Sequence, residues 1–377
     1  MSLSPAFMQH FAGVLDPRKD THNKRHLLSD ILVITILAVL CGAETWTDIA
    51  EFGKAKHKWL KSFLALPHGI PSHDTFGDVF ARLDSKALEA SFMSWVQSLL
   101  TLTKGEIIPI DGKTLRGSYS KRDGRRAIHM VSAWASANGL VLGQLKTAEK
   151  SNEISVIPEL LGMLDVTGCV VTIDAMGTQK EIAKTIIAKE ADYVLALKEN
   201  QPQLYADVKL FLEDGQRKGF KGIAHDYEET VEKDHGRIEI RRYWVTGQID
   251  WLEGRAQWKQ LQSIGMVEAE RHIGEQVSKE RRFYINSIAP SAALFAKAVR
   301  SHWSIENQLH WSLDVSFGED ASRIRKDNAP ENFAIIRRIA LNMLKRETSA
   351  KVGLKIKRNK AGWDNRYLAK ILEASGF

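Results

Sequence analysis

Two aspartates of this sequence have neighbours and spacing that would suit a catalytic or metal-binding role. Asp111 follows the apolar run Ile107-Ile-Pro-Ile110, and Asp174 follows the run Val170-Val-Thr-Ile173. Each run suits a buried strand, where an unpaired carboxylate is costly. If the two strands are neighbours, the carboxylates lie side by side, and their repulsion raises a pKa unless a cation bridges them. Mg²⁺ binds oxygen ligands of this kind together with substrate phosphate. Either aspartate alone could instead cap a helix or form a turn.

A third acidic residue, Glu306, lies in a segment with helical spacing. At about 100° per residue, His302, Glu306 and His310 share one stripe of that helix. Ile305, Leu309 and Leu313 form an adjacent apolar stripe, which favours a Glu306 that faces the sheet. Spacing alone leaves two alternatives open: an exposed Glu306 that pairs along its helix, and a zinc site built from the histidines, although the HExxH pattern is absent.

The secondary structure that must position these residues is predicted to change along the chain, from helices to strands and then to alternating helices and strands. Apolar residues recur every three or four positions as far as Leu100, which predicts a helical N-terminal domain over residues 1–100. Strand-like runs follow, two of them joined by the hairpin signal Asn138-Gly139. Beyond residue 153 helical and strand-like segments alternate, so we expect crossovers and parallel pairing. The prediction is an α/β fold with a mixed five-stranded sheet and flanking helices, the strands being 107–110, 128–137, 140–145, 170–173 and 193–197.

The second half of the chain reverts to strands before helices resume. Residues 219–288 are predicted to form a β-rich insertion, with candidate strands at 239–245, 264–270 and 282–285. Helices are predicted at 291–311 and 331–345, the second opened by Asn328 as N-cap and by Pro330. Residues 101–377 are therefore expected to form one domain that carries this insertion and a basic C-terminal segment, 345–377.

Composition narrows the class of protein. The chain has 377 residues, of which 44% are hydrophobic and 26% charged, values typical of a globular protein. Two cysteines cannot build a disulfide framework, and the N-terminus lacks a secretion signal, so we expect a cytoplasmic protein. The most apolar segment, 31–43, is too short to cross a bilayer and is predicted to be a buried helix.

Positive charge is concentrated near the C-terminus. The net charge is +7, and the stretch 345–370 alone holds nine Lys and Arg residues against Glu347 and Asp364. Such a segment attracts polyanions, of which nucleic acid is the commonest in the cytoplasm. A solvated tail with no partner is the alternative. Lys198, which follows the last strand of the predicted sheet, could contact a phosphate or remain a solvated lysine. The sequence Asp111-Gly-Lys-Thr114 does not form a phosphate loop, because Ile107 stands where that motif needs glycine.

At these residues the chain resembles the H-repeat-associated transposases, a branch of the insertion-sequence DDE transposases with an RNase H-like fold. The resemblance covers essentially the full chain. The blocks that carry it are Pro109-Ile-Asp-Gly-Lys-Thr-Leu-Arg-Gly117, Thr172-Ile-Asp-Ala-Met-Gly-Thr-Gln179, Asp192-Tyr-Val-Leu-Ala-Leu-Lys-Glu-Asn-Gln201, His235-Gly-Arg-Ile-Glu239 and His302-Trp-Ser-Ile-Glu-Asn-Gln-Leu-His-Trp-Ser-Leu-Asp-Val315.

The resemblance implies that Asp111, Asp174 and Glu306 are a catalytic, metal-binding DDE triad. It also implies two Mg²⁺ ions, with Mn²⁺ as a substitute, one activating a water or 3′-hydroxyl and the other stabilising the leaving oxygen. The wider superfamily has a Tyr and an Arg before this glutamate and a Lys after it. Here those positions hold Val299, His302 and Leu313.

Basic and aromatic residues around the triad are then expected to contact double-stranded DNA, mostly through phosphates. For any one of them a solvated surface charge, or for Trp303 buried packing, is the alternative. The predicted DNA contacts are Lys113, Arg116, Lys198, Arg300, His302, Trp303, Arg323 and Arg325. Further basic residues predicted to contact phosphate are Lys121, Arg122, Arg125, Arg126, Lys326, Arg337 and Arg338.

The sequence thus favours a metal-dependent DDE transposase that cleaves DNA and transfers the strand. Two alternatives remain, a domesticated DNA-binding or recombination accessory protein and an RNase H-like nuclease without strand transfer. The family implies a homodimer that binds element ends and target DNA at the nucleoid. We expect no membrane partner and no small-molecule cofactor.

Overall fold

The short apolar runs of the sequence form neighbouring strands at the centre of the fold. A computed structural model describes residues 5–20, 24–119, 124, 126–147, 153–234 and 236–377; Lys121, Arg122 and Arg125 lie outside these ranges. Within the described residues nine strands form one sheet. They are β1 (Ile107–Thr114), β2 (His129–Ala135), β3 (Leu140–Lys146), β4 (Val170–Ile173), β5 (Asp192–Leu197), β6 (Asp226–Asp234), β7 (Arg237–Thr246), β8 (Ser263–Ile273) and β9 (Gln276–Asn286).

The first half of the sheet has the order β3-β2-β1-β4-β5, which confirms the five strands predicted from the sequence. β1 pairs parallel with β4, and β4 pairs parallel with β5. β2 and β3 are antiparallel additions on the other side of β1, joined by a turn in which Gly139 has a φ of 65°. This mixed order is that of an RNase H-like sheet, as the family resemblance implies.

The predicted β-rich insertion continues the same sheet. β9 pairs antiparallel with β5, and β8, β7 and β6 follow in turn as an antiparallel meander. The sequence analysis missed β6, whose residues Asp-Tyr-Glu-Glu-Thr-Val-Glu-Lys-Asp are largely charged. A strand at a sheet edge needs no apolar face and benefits from charges that discourage further pairing. Hydrophobic alternation therefore carries no signal for it.

Helices cover both faces of the sheet. α10 lies on the face that Ile107, Val170 and Val194 present, and its Phe295 is fully buried there. The helices are α1 (Pro5–His10), α2 (Leu28–Leu40), α3 (Trp46–Ala55), α4 (His57–Leu60), α5 (His73–Arg82), α6 (Ser85–Leu99), α7 (Glu153–Met163), α8 (Lys180–Ala188), α9 (Pro202–Arg217), α10 (Ala292–Ser304), α11 (Trp311–Phe317), α12 (Ala329–Arg346), α13 (Leu354–Trp363) and α14 (Asn365–Ala374).

Helix α12 joins the helical N-terminal region to the sheet. It packs against α2, α5 and α6 and also against β3, and one hydrophobic cluster runs through all of these elements. Asn342 in α12 accepts a hydrogen bond from the Val141 N–H and donates one to the Val141 carbonyl, both at 2.9 Å. Its side chain thus satisfies backbone groups of edge strand β3, which another strand would otherwise pair.

The basic C-terminal segment is folded rather than a loose tail. Arg358 donates to the Val39 carbonyl at the end of α2, and its guanidinium lies 4.2 Å from the centre of the Phe317 ring. Lys357 donates to the Leu344 carbonyl at 3.1 Å. Both side chains are buried. Part of the positive charge that suggested a surface for polyanions therefore stabilises the fold instead. The exposed cations of this segment are Lys351, Lys355, Lys360, Arg366 and Lys370.

The most apolar segment of the sequence forms α2, a helix buried over nearly its whole length. Its burial agrees with the prediction of a core helix. Over the described ranges, no helix combines the length and the apolar character that a membrane crossing requires.

Replacing Asn342 by leucine is expected to lower the free energy of unfolding by about 2–6 kcal/mol. The reason is that two buried backbone groups of Val141 lose their partners, at roughly 1–3 kcal/mol each. Urea unfolding followed by tryptophan fluorescence measures the change. Asn359→Leu, at a half-buried position of α13, is the matched control and should change the value by less than about 1 kcal/mol. Equal losses in the two variants would contradict this role of Asn342.

Candidate functional site

Asp111 and Asp174 lie next to each other at one edge of the sheet. Ile110 of β1 is paired in register with Ile173 of β4, and an aspartate follows each of them. Side chains alternate along a strand, and the residues four positions before each aspartate pack on the α10 face. Parallel pairing and strand alternation together therefore direct both carboxylates towards the helix that carries Glu306.

A π-helical turn interrupts the predicted helix at Glu306. α10 ends at Ser304, the π turn spans Ile305–His310, and α11 begins directly after it. Nδ1 of His310 lies 3.6 Å from Oδ2 of Asp111 and 3.6 Å from Oε2 of Glu306. One potential ligand atom from each of the three residues lies within 4.8 Å of the other two. The Glu306 side chain is 54% exposed, so its carboxylate reaches Asp111 at the solvent-facing rim of the sheet edge.

Hydrogen bonds and positive charges of the protein only partly offset the negative charge of the carboxylates at this edge. Burial, and after it the charge of Glu306, raises the pKa of Asp111 to about 8. Burial also raises the pKa of Asp174, against the opposing effect of the Gly177 N–H, which donates to Oδ1 at 3.2 Å. A hydrogen bond with His310 lowers the pKa of Glu306. The edge therefore concentrates negative charge in a place where water screens it poorly.

A fourth carboxylate, that of Glu153 at the start of α7, adds to this charge. Its Oε1 lies 2.7 Å from Nε2 of His129, and besides burial its charge contributes to the raised pKa of both Asp111 and Asp174. A Cβ atom on Gly112 would come within 2.3 Å of Oε1 of Glu153 and 2.2 Å of Nε2 of His129. Packing at this point therefore requires the glycine after Asp111. No spacing signal in the sequence indicates Glu153, because its place depends on how α7 packs against β2 and β3.

The donor set at this edge fits a divalent cation. Asp111 and Glu306 supply carboxylate oxygens, and His310 supplies an imidazole nitrogen at comparable distances. A cation between the carboxylates would remove the repulsion that helps to keep the pKa of Asp111 high. Asp174, at the neighbouring strand end, is not part of this three-residue group, although its charge contributes to the raised pKa of Asp111. The residues present thus suit the divalent ion that the family resemblance implies.

Comparison with known proteins decides the family. The family model described as "Transposase DDE domain" matches residues 102–343, and the model described as "DDE_Tnp_1-associated" matches residues 8–96. The chain belongs to the DDE transposase family. The resemblance found in the sequence blocks is therefore confirmed, and the two matched regions meet close to residue 100.

Relatives of this transposase chain align over nearly their whole length. YncI of Escherichia coli O157:H7, which is named as a transposase, is 44% identical over 366 residues, with 96% of this chain and 93% of that protein covered. YhhI of Escherichia coli (strain K12), named as an H repeat-associated transposase, is 42% identical over 374 residues, with 98% of each covered. Among solved structures, a piggyBac transposase synaptic complex with hairpin DNA matches with a TM-score of 0.45 and 10% identity, covering 95% of this chain and 75% of that chain.

Lys113, which the sequence analysis assigned to DNA phosphate, is buried and already paired. Its Nζ lies 2.7 Å from Oδ1 of Asp314 and 2.8 Å from Oδ1 of Asp320, and its side chain is 8% exposed. A phosphate could reach it only by displacing these carboxylates, so the structure corrects that assignment. Lys113 lies two residues after Asp111 on the same face of β1, and it holds α11, the continuation of the Glu306 turn, against that strand.

His302 is corrected for a similar reason. Burial lowers the pKa of His302 to about 4, so its ring is neutral near pH 7 and offers no cation to a phosphate. Nδ1 lies 3.0 Å from Oγ1 of Thr172 in β4. The ring therefore fastens α10 to the strand that ends at Asp174. Arg337 and Arg338 of α12 are buried as well, which removes them from the predicted phosphate contacts.

Other predicted DNA contacts are accessible from solvent. Arg116, just past β1, is 83% exposed and lies 3.5 Å from Asp320. Lys198, just past β5, is exposed, and its charge lowers the pKa of Asp174 against the larger effect of burial. Arg323 is exposed in the loop after α11. A phosphate could therefore reach Lys198 and Arg323 directly, and Arg116 once its side chain leaves Asp320.

The remaining predicted DNA contacts already have a partner in the protein. Arg300 pairs with Glu232 of the insertion at 2.6 Å. Trp303 is 39% exposed, and the guanidinium of Arg282 lies 4.7 Å from its ring centre. Arg325 donates at 2.9 Å to a carbonyl of the turn that follows β1. DNA contacts by Arg300 and Trp303 stay predictions that these surface-exposed groups permit.

Replacing Asp111 by asparagine is expected to stabilise the metal-free protein, and increasingly so as the pH rises. The pKa of Asp111 in the folded protein, about 8, is above its ordinary value of 3.8. Folding therefore retains this proton, and the stability that it contributes is lost as the pH rises through about 8. The gap in unfolding free energy between variant and wild type should grow between about pH 4 and pH 8 to a few kcal/mol, at roughly 1.4 kcal/mol for each pKa unit.

Urea titrations in EDTA at about pH 5, 7 and 9 measure this gap. Glu275→Gln, in the exposed turn between β8 and β9, makes the same change from carboxylate to amide in a solvated position and should give no growing gap. A gap for Asp111→Asn that stays constant or shrinks with rising pH would contradict the electrostatic description of the site.

Proposed function

We propose that the chain is a Mg²⁺-dependent DNA transposase that cleaves one DNA strand and joins the freed 3′ end to target DNA. The observation that carries the proposal is the meeting of Asp111 and Glu306 at the edge of the sheet, with Asp174 on the adjoining strand end. Membership of the DDE transposase family supports the same reaction. Asp111, Asp174 and Glu306 are proposed as catalytic and as ligands of two divalent ions, with Mn²⁺ as a substitute for Mg²⁺.

The residues of the chain have distinct tasks in this proposal. Two divalent ions bound at the edge would generate the attacking oxygen nucleophile and stabilise the leaving oxygen. Asp111 holds a fixed position because it lies within β1, paired with Ser132 of β2, and Asp174 because it directly follows β4. Glu306 stands at the solvent-facing rim, where a DNA strand can enter. Lys113 and His302 keep the Glu306 helix in place through Asp314 and Thr172.

Double-stranded DNA is the proposed partner, both at the element ends and at the target. Arg116, Lys198 and Arg323 are proposed to contact phosphates and so to place the strand without reading its sequence. Trp303 offers an aromatic face for an unpaired base. Joining two DNA ends in one event favours a homodimer on DNA, and this oligomeric state belongs to the proposal as well.

Asp174→Ala is expected to reduce strand cleavage and strand transfer by at least about 100-fold, because even residues that only support metal ligands are worth 10–100-fold. DNA binding should persist. The assay incubates purified protein and Mg²⁺ with labelled duplexes that carry the terminal repeats flanking the gene, and resolves nicked and joined products on a denaturing gel. A gel shift of the same duplexes measures binding.

The matched control is Asp165→Ala, an exposed aspartate in the loop between α7 and β4. It should cleave as the wild type does. Full activity in Asp174→Ala would refute the site. Nicking by the wild type without joining would favour a nuclease, and a gel shift without cleavage would favour a DNA-binding accessory protein.

The double variant Lys198→Ala/Arg116→Ala is expected to bind all DNA sequences more weakly and with a lower salt dependence. Each lost phosphate contact reduces the slope of log K against log salt concentration by about 1, so the slope should fall by about 2. Fluorescence anisotropy at several salt concentrations measures it. Lys218→Ala, at the end of α9 on the opposite face of the sheet, is the control and should leave the slope unchanged. Equal slopes for wild type and double variant would exclude these two contacts.

A further inference from the structure

His310 is buried beside two proposed metal ligands, and the proposed function gives it no role. Its Nδ1 points at Asp111 and Glu306, 3.6 Å from an oxygen of each. Two ligands of an octahedral ion with bonds of about 2.1 Å are roughly 3 Å apart when adjacent and 4 Å when opposite. The spacing observed between the three side chains therefore needs only small rotations to close on one ion.

The surroundings of the other ring nitrogen of His310, Nε2, are also unusual. His310 is 5% exposed, and its Nε2 is buried without a hydrogen-bond partner among the residues that the structure describes. Buried polar atoms of folded proteins are nearly always paired, so an unpaired one calls for a reason to keep the side chain there. A ring that only filled space at this position could be an apolar residue at no such cost.

The backbone at His310 is also unusual. The π turn begins one residue before Glu306 and ends at His310, so it contains both residues. Leu309 and Ile305 are fully buried and anchor the turn in the core. π turns interrupt the regular helical hydrogen bonds and occur mostly at functional sites. Burial of the two apolar anchors fixes the orientation in which the glutamate and the histidine both face Asp111.

We infer that Nδ1 of His310 is a third protein ligand of the ion held by Asp111 and Glu306, and that this nitrogen makes the ion site prefer Mn²⁺ to Mg²⁺. The inference rests on the proposed function, because it concerns an ion of that same centre. Mg²⁺ takes oxygen ligands almost exclusively, whereas imidazole suits transition metals. A centre of carboxylates alone would discriminate between the two ions much less.

The alternative explanation is that His310 is a cation which holds the two carboxylates together. The two explanations predict opposite effects of removing the ring. A ligand that is lost weakens metal binding, whereas a competing positive charge that is lost strengthens it. Metal affinity of variants at this position therefore separates them without any measurement of catalysis.

Isothermal titration of the full-length, metal-stripped protein with MnCl₂ and with MgCl₂ tests the inference. The wild type should bind Mn²⁺ at least about 10-fold more tightly than Mg²⁺. His310→Gln, whose amide cannot reach the Nδ1 position, should lose about 10–100-fold in Mn²⁺ affinity and much less in Mg²⁺ affinity. His310→Asn, which puts an amide oxygen close to the Nδ1 position, should retain Mg²⁺ binding and lose the preference for Mn²⁺.

Unchanged or stronger Mn²⁺ binding by His310→Gln would overturn the inference. Asp111→Asn is the arm that tests the proposed function itself: it should abolish binding of both ions, and if it binds them as the wild type does, the metal centre is wrong. Loss of binding in Asp111→Asn with normal binding in His310→Gln would refute only the role of His310.

A measurement on the wild type covers the case in which the variants fail to fold. Pulsed electron paramagnetic resonance of the protein loaded with Mn²⁺ should show the modulation of a directly bound nitrogen. Absence of that modulation would overturn the inference as well, since His310 supplies the nitrogen donor of this three-residue group.

Discussion

The structure depends on holding several carboxylates together where water is scarce. Asp111 is placed by β1, Asp174 by β4, Glu306 by the π turn and Glu153 by the start of α7, and these elements are far apart in the chain. Each carboxylate would be cheaper in solvent. The fold accepts the cost because strand pairing and helix packing elsewhere fix the backbone at all four places. The pKa of Asp111 is raised as a result, first by its burial and then by the charge of Glu306.

Around this edge, lysine and arginine side chains hold structural elements together and do not neutralise the proposed metal ligands. Lys113 forms ion pairs with Asp314 and Asp320. Nη1 of Arg338 lies 2.7 Å from Oε1 of Glu319. The Lys113–Asp314 pair joins β1 to α11, and the Arg338–Glu319 pair joins α12 to the loop that follows α11. Positive charge therefore lies close to the site without reaching Asp111. Among the described residues, no lysine or arginine forms an ion pair with Asp111, Asp174 or Glu306, which leaves these carboxylates available to a divalent ion.

Much of this architecture could be predicted from the sequence. The runs before Asp111 and Asp174, and the turn at Gly139, are local patterns, and they were sufficient to predict five central strands in a mixed sheet, whereas the strand order came from the structure. Family resemblance selected Glu306, which spacing alone could not do. The burial of Lys113 and His302 was not predicted, because burial depends on which helix covers a strand, and a single sequence does not show that. His310 was considered only as a ligand of an alternative zinc site, and Glu153 was missed because it follows neither a strand nor a recognisable motif.

The way in which the basic C-terminal segment is fastened has a consequence for shortened forms of the protein. Arg358 binds carbonyls at the ends of both α2 and α11, through Val39 and Ser316, so one side chain clamps the N-terminal helices to the region that follows Glu306. Frameshifts and early stop codons that remove Arg358 would remove this link between α2 and α11. The shortened polypeptide would then depend on α6 and α12 to hold the N-terminal helices against the sheet.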